Sequence, residues 1–220
     1  MKNWVSGIMK TFQNLTRGDI ILSLKFEDND IKSSLKYSKY TVNSIQKYVD
    51  SFSFRCSCVS NPTECIISIP NNFLNRANYN NTFYVLDDIV EGDPVCNSWS
   101  GVGKGSILYS IYLDLDAKIL EKSVEHKVLG VSESKTGKRL VVFAENIDTN
   151  SEEVFRIPQE NKGGCRFYAD SNKFYIVGLS KKDVIIEVQR KLDELINEQL
   201  KSIENLEKST IKLMSLRDTL

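Results

Sequence analysis

Apolar and polar positions alternate through most of this chain up to about residue 178, where the period changes. Ile107, Tyr109, Ile111, Leu113 and Leu115 fall on one side of an extended segment, and Leu108, Ser110, Tyr112, Asp114 and Asp116 on the other. That two-residue period is the mark of a half-buried strand. An aromatic and aliphatic strand, Thr82 to Leu86, precedes it and stops on Asp87-Asp88, and a Gly-rich stretch, Ser100 to Ser106, joins the two. Ile20, Leu22, Leu24 and Phe26 alternate with Ile21, Ser23, Lys25 and Glu27 ahead of the turn residues Asp28-Asn29-Asp30. Phe52 to Val59 and Cys65 to Ile69 read as strands closed by Asn61-Pro62 and Pro70-Asn71-Asn72. Glu125 to Glu133 and Arg139 to Ala144 flank a Lys135-Thr136-Gly137-Lys138 turn and predict a hairpin, and shorter strands follow at 154–157, 165–169 and 173–178. Roughly eight to ten strands separated by turn residues predict a mainly β chain, an antiparallel β-sandwich or jelly-roll-like domain over residues 19–179.

Helical spacing marks both ends. Within residues 1–18, Trp4, Val5, Ile8, Met9, Phe12 and Leu15 predict a short N-terminal amphipathic helix that stops at Thr16-Arg17-Gly18. It fits a lid over the sheet better than a membrane-surface contact, although Lys2, Lys10 and Arg17 beside its aromatic residues would suit the second role. From Ser180, residues 180–220 contain no Gly or Pro, and Ser180 to Asp183 has the spacing of a capping box. Ile185, Val188, Leu192, Leu195, Leu206, Leu213 and Leu220 share one seven-residue frame, weakened at Gln199, Ser202 and Ser209. Ile196, Leu200, Ile203 and Ile211 fill a second, shifted stripe. A long C-terminal helix is expected; it is too long for one small sheet face, and self-association as a short coiled coil is preferred to packing across the sandwich.

Composition narrows the partners. Lys+Arg and Asp+Glu are equal at 29 each, so the formal net charge is zero, which argues against a dedicated duplex-DNA binder. No apolar run approaches the roughly 20 residues that span a bilayer, and the amino terminus lacks the apolar core of a signal peptide, so a soluble cytosolic protein is expected. Five cysteines in that setting are expected to be reduced. Cys56, Cys58 and Cys65 fit core packing better than a zinc site, whose spacing and histidine partners are not matched.

Between Lys32 and Tyr48 the cations Lys32, Lys36, Lys39 and Lys47 interleave with Tyr37, Tyr40 and Tyr48. Such a segment offers charges and stacking faces to single-stranded RNA or DNA, and it equally fits a solvated face with partly buried tyrosines. The single histidine, His126, has no local nucleophile or acid arrangement around it. Gly101 to Ser106 lacks the Ser or Thr directly after Lys104 that a phosphate loop needs, and it precedes a strand rather than a helix. Asp87-Asp88 and Asp114/Asp116 suit turn formation better than cation binding. No metal, no cofactor and no small-molecule substrate is expected.

Three segments carry a resemblance. Ile66-Ile67-Ser68-Ile69, Phe83-Tyr84-Val85-Leu86-Asp87 and Tyr109-Ser110-Ile111-Tyr112-Leu113, with a hairpin ending in Leu140-Val141-Val142-Phe143, resemble the core of the 30K superfamily of plant-virus movement proteins. Ile89 stands where that family commonly has an arginine. The resemblance implies a jelly-roll-like fold, Asp87 as an essential structural residue and no enzymatic activity. It further implies weak, non-specific binding of single-stranded nucleic acid, homo-oligomers, contact with the host membrane surface, and residence in the host cell cytoplasm and at plasmodesmata. A viral matrix or capsid-like structural protein that self-assembles is the alternative.

Overall fold

The computed structural model describes the chain except for residues 1–9, 27–34, 62, 81, 89–91, 93, 97, 134–138, 159–163, 171–172 and 218–220. The described residues form two antiparallel sheets and one long helix. The first sheet is built from β1 (Ile20–Phe26), β2 (Leu35–Lys47), β3 (Ser51–Cys58), β4 (Glu64–Pro70), β5 (Asn78–Tyr79) and β6 (Phe83–Val85), in the order β4-β3-β2-β1-β6-β5. The second takes β7 (Ile107–Asp114), β8 (Ile119–Leu120), β9 (Val124–Glu133), β10 (Arg139–Asn146), β11 (Glu152–Pro158), β12 (Arg166–Asp170) and β13 (Lys173–Gly178). Its order is β11-β10-β9-β7-β13-β12, with β8 paired to β7. Each layer thus takes its described strands from one contiguous half of the chain, joined mainly as meanders, and the order of these strands changes layer once, between β6 and β7.

That passage is tightly made. Leu86 N–H donates to the Ile20 carbonyl of the first sheet, while Asp87 exchanges both backbone hydrogen bonds with Val131 of β9 at 2.9 Å. Gly130 permits the approach, because a Cβ there would sit 2.8 Å from the Asp87 carbonyl and 2.7 Å from Leu86 Cδ1.

The alternation along each strand divides the core. In β10, Leu140, Val142 and Ala144 face one way, whereas Val141 and Phe143 face the other and meet Leu22, Leu24, Tyr84 and Leu86 of the first sheet. The far face of the first sheet buries Ile21, Val42, Phe54 and Val85 beneath Phe12 and Leu15. The second sheet is rolled. Phe155 of β11 and Tyr175 of β13 stack at 6.0 Å although three strands separate theirs in the ladder order. In a flat sheet they would stand about 19 Å apart. Trp99 and Val102 of the passage fill the inside of the roll, and Trp99 Nε1 donates to the Gly164 carbonyl at 3.1 Å.

Three expectations are revised. β7 is covered on both faces, by the roll interior at Leu108 and by the helix at Ile111, so it is not half-buried. The Lys- and Tyr-bearing region is a 13-residue strand, β2, whose period is hidden by a bulge between Val42 and Ser44. Over the described part of the expected N-terminal helix there is a 3-10 turn, Phe12–Asn14; Trp4, Val5, Ile8 and Met9 lie outside the described residues.

The helix α1 (Lys181–Arg217) has 37 residues, a length of about 55 Å. Its start is capped by Ser180, whose Oγ accepts from Asp183 N–H at 3.4 Å. Val184 and Val188 are buried against Ile111 and Ile176, with Leu192 packed alongside.

Candidate functional site

Asp87, which follows β6, is 2 % exposed at the passage between sheets. Its Oδ2 accepts the Lys10 backbone N–H at 3.0 Å, and Lys10 Nζ spans Asp19 at 2.8 Å and Asp88 at 3.0 Å. Partial burial works against the Lys10 charge, yet the two carboxylates hold its ammonium above the ordinary value. The cluster ties the N-terminal segment to the junction of the two layers. Asp114 is likewise a turn former, its Oδ1 accepting Ala117 N–H at 2.9 Å. Among the described residues no group of three or more His, Cys, Asp or Glu side chains is arranged to hold a metal ion.

The cation and tyrosine candidates are not brought onto one surface. Tyr37 and Lys39 point between the sheets, where Tyr37 donates to Glu152 Oε2 at 2.7 Å and Lys39 Nζ meets Glu152 Oε1 at 3.0 Å. Both lean on Phe143, Tyr37 edge-on at 5.3 Å and Lys39 over the ring at 5.0 Å. These two side chains close the interface between layers instead of presenting charge outward. Tyr40, three residues from Tyr37, faces the opposite way and packs against the Phe54 core. Lys47 is exposed over the Phe52 ring at 5.1 Å. Lys32 and the Lys36 side chain lie outside the described residues.

Inside the roll is a polar group that no short-range pattern announced. His126 is fully buried; its Nε2 lies 2.7 Å from Ser110 Oγ, and Phe155 packs edge-on at 5.1 Å. Tyr175 OH lies 3.1 Å from Ser110 Oγ and 2.8 Å from Glu153 Oε2. With Glu153 ionised the phenol donates to the carboxylate, and the Ser110 proton goes to His126 Nε2. Nδ1 then carries the other proton, 3.9 Å from Glu153 and without a hydrogen-bond partner. Burial holds the imidazole down at about 4. The contacts have the outline of a Ser-His-Glu triad, but Ser110 is 1 % exposed and lies mid-strand, laddered to β9 and β13 on both sides. A nucleophile needs a path for its substrate. What this group does is bind β7, β9, β11 and β13 together across the roll.

Cys56, Cys58 and Cys65 share a hairpin end. Cys56 and Cys65 are cross-strand partners, and burial, then the neighbouring Cys65, push the Cys56 thiol up to about 12. Cys58 lies 3.3 Å from Ser60 Oγ, and that hydroxyl and the Asn61 backbone hold its thiol below the ordinary value. The Gly-rich stretch folds inward, Gly103 N–H donating to the buried Ser106 Oγ at 3.2 Å.

α1 carries an exposed apolar surface. Every residue from Ile196 to Arg217 is exposed, including Ile203, Leu206 at 69 % and Leu213 at 65 %. This half of the helix, about 33 Å long, stands clear of the sheets. Of the residues expected to form an oligomer seam, Val188 and Leu192 are taken up by the sheet, and Leu195 is only half-exposed. Ile185 is 40 % exposed, so Leu206 and Leu213 are the members that project. The seven-residue frame crosses two stripes in succession, one packed on the body and one facing outward.

No family model, curated protein or solved structure matches the chain.

Proposed function

We propose that this chain is a self-associating, non-enzymatic viral protein of the movement type, a β body that presents an assembly helix. The observation that carries the reading is the exposed row of Ile196, Leu200, Ile203, Leu206 and Leu213 on a helix anchored at one end only. Apolar surface on that scale marks an interaction site on a water-soluble protein. The movement part of the reading rests on the resemblance around Phe83 to Asp87, and the buried, junction-forming Asp87 is consistent with a structural aspartate. Contact with single-stranded nucleic acid is weak on this reading. Net charge is zero, and Tyr37 and Lys39 are spent on Glu152, which leaves Lys47 and Arg55 among the exposed cations of the first sheet.

Sedimentation of the full chain against the Leu206→Ser/Leu213→Ser variant tests the assembly half, with oligomers expected only for the former. Salt-dependent retention of single-stranded RNA, and wall-associated puncta of a fluorescent fusion in plant tissue, test the movement half. Ordered lattices formed without nucleic acid would turn the reading toward a particle-forming structural protein.

A further inference from the structure

We infer that the projecting half of α1 pairs antiparallel with the same segment of a second copy, in a register that sets Ile203 against Leu206. The inference rests on the self-association reading and specifies its geometry.

Charge is divided along this helix. Asp193, Glu194, Glu198, Glu204 and Glu207 populate the part nearer the body with only Lys201 among them, whereas between Lys208 and Arg217 the charged residues are all basic, Lys208, Lys212 and Arg217. Parallel pairing would lay acid on acid and base on base. In antiparallel pairing Asp193, Glu194 and Glu198 of one copy lie beside Lys212 and Arg217 of the other, and the two helix dipoles oppose.

The apolar pattern selects the register. On a seven-residue repeat, Ile196, Ile203 and Thr210 alternate with Gln199, Leu206 and Leu213 along one seam. Run antiparallel with Ile203 facing Leu206, the seam also brings Ile196 against Leu213 and Gln199 against Thr210. Apolar meets apolar at every outer layer, and the two polar residues meet each other. Beside the seam, Ser202 faces Ser209, small residues that let the helices approach. The arrangement places Arg217 of one copy next to Leu192 of the other, beside Asp193 and Glu194.

Disulfide trapping in the full chain tests this, with the wild type as control for its native thiols. Ile196→Cys and Leu213→Cys chains are oxidised separately and as a mixture. Because each copy's residue 196 would lie about 25 Å from the other's, far beyond disulfide reach, neither variant alone is expected to exceed the control, while the mixture yields a cross-linked pair. Raising the salt is expected to weaken association, and Lys212→Glu/Arg217→Glu to weaken it about tenfold. Cross-linking of Ile196→Cys alone, or association that strengthens with salt, overturns the antiparallel geometry while leaving self-association intact. A full-length wild type that sediments as a monomer across the micromolar range overturns both.

Discussion

Acid should destabilise this protein well above the pH at which its carboxylates titrate, and His126 is the cause. The imidazole is fully buried, with Nδ1 unsatisfied, and burial depresses its proton affinity to about 4 from the ordinary 6.5. Between those two values the unfolded chain binds a proton that the native chain does not, so stability falls as the pH drops from about 6.5 and levels off near 4. The difference corresponds to about 3 kcal/mol, a large share of the 5–15 kcal/mol typical of a domain. The Glu153 carboxylate, 3.9 Å from Nδ1 and 30 % exposed, is too distant for a hydrogen bond and too well solvated to reverse the sign. The paired carboxylates Asp19 and Glu152 are held below their ordinary 3.8 and 4.5, and their stabilisation is lost only as the pH falls beneath those values. His126 is the sole histidine, so the window from 6.5 to about 4.5 belongs to it. Urea unfolding at pH 7, 6, 5 and 4.5 measures the slope, and His126→Gln, which keeps an acceptor for Ser110 but cannot charge, should flatten it. A wild type equally stable at pH 7 and 4.5, or a Gln variant with the same slope, would refute the reasoning.

Other consequences are local. Asp87→Ala removes the buried acceptor of the part-buried Lys10 N–H and should cost about 1–3 kcal/mol in urea unfolding, with Asp87→Asn milder; equal losses for both would deny the hydrogen bond its role. Gly130→Ala forces a methyl against the Asp87 carbonyl and should cost a similar 1–3 kcal/mol, and an unchanged midpoint would show that the passage can shift. Cys58 should react with maleimide faster than Cys56 in peptide-level labelling at neutral pH, since Ser60 lowers one thiol and burial raises the other; the reverse order would contradict the hairpin geometry.

The sheets and the helix were legible because they are local patterns. Two-residue alternation in β1 and β3, the apolar run of β10 behind its turn residues, and the Gly- and Pro-free run behind Ser180 need no distant partner to be recognised. β2 was harder, since its bulge at Val42/Ser44 resets the alternation and most of its side chains are polar. The role of Tyr37 and Lys39 could not be read at all. Their partner Glu152 lies more than a hundred residues away, and a lysine beside a tyrosine looks the same whether it faces solvent or another sheet. His126 was disguised by Glu125 and Lys127, which point outward from β9; its register with Val124 and Val128 was the available signal for an inward ring. In α1 helical spacing announces the element, but only the packing of Val184 and Val188 on Ile111 and Ile176 reveals where the body-facing stripe ends and the exposed one begins.

The single passage of chain between layers bears on how the protein is made. Every ladder of the first sheet closes within residues 20–85, so that layer can be complete while later residues are still being translated. Its inner face, however, waits for Val141, Phe143 and Val154 to cover Leu22, Leu24, Tyr84 and Leu86. At ordinary elongation rates the wait from Leu86 to Val154 lasts about 3–14 s. For that interval a greasy nascent surface hangs at the ribosome exit, which makes it the natural target for a co-translational chaperone.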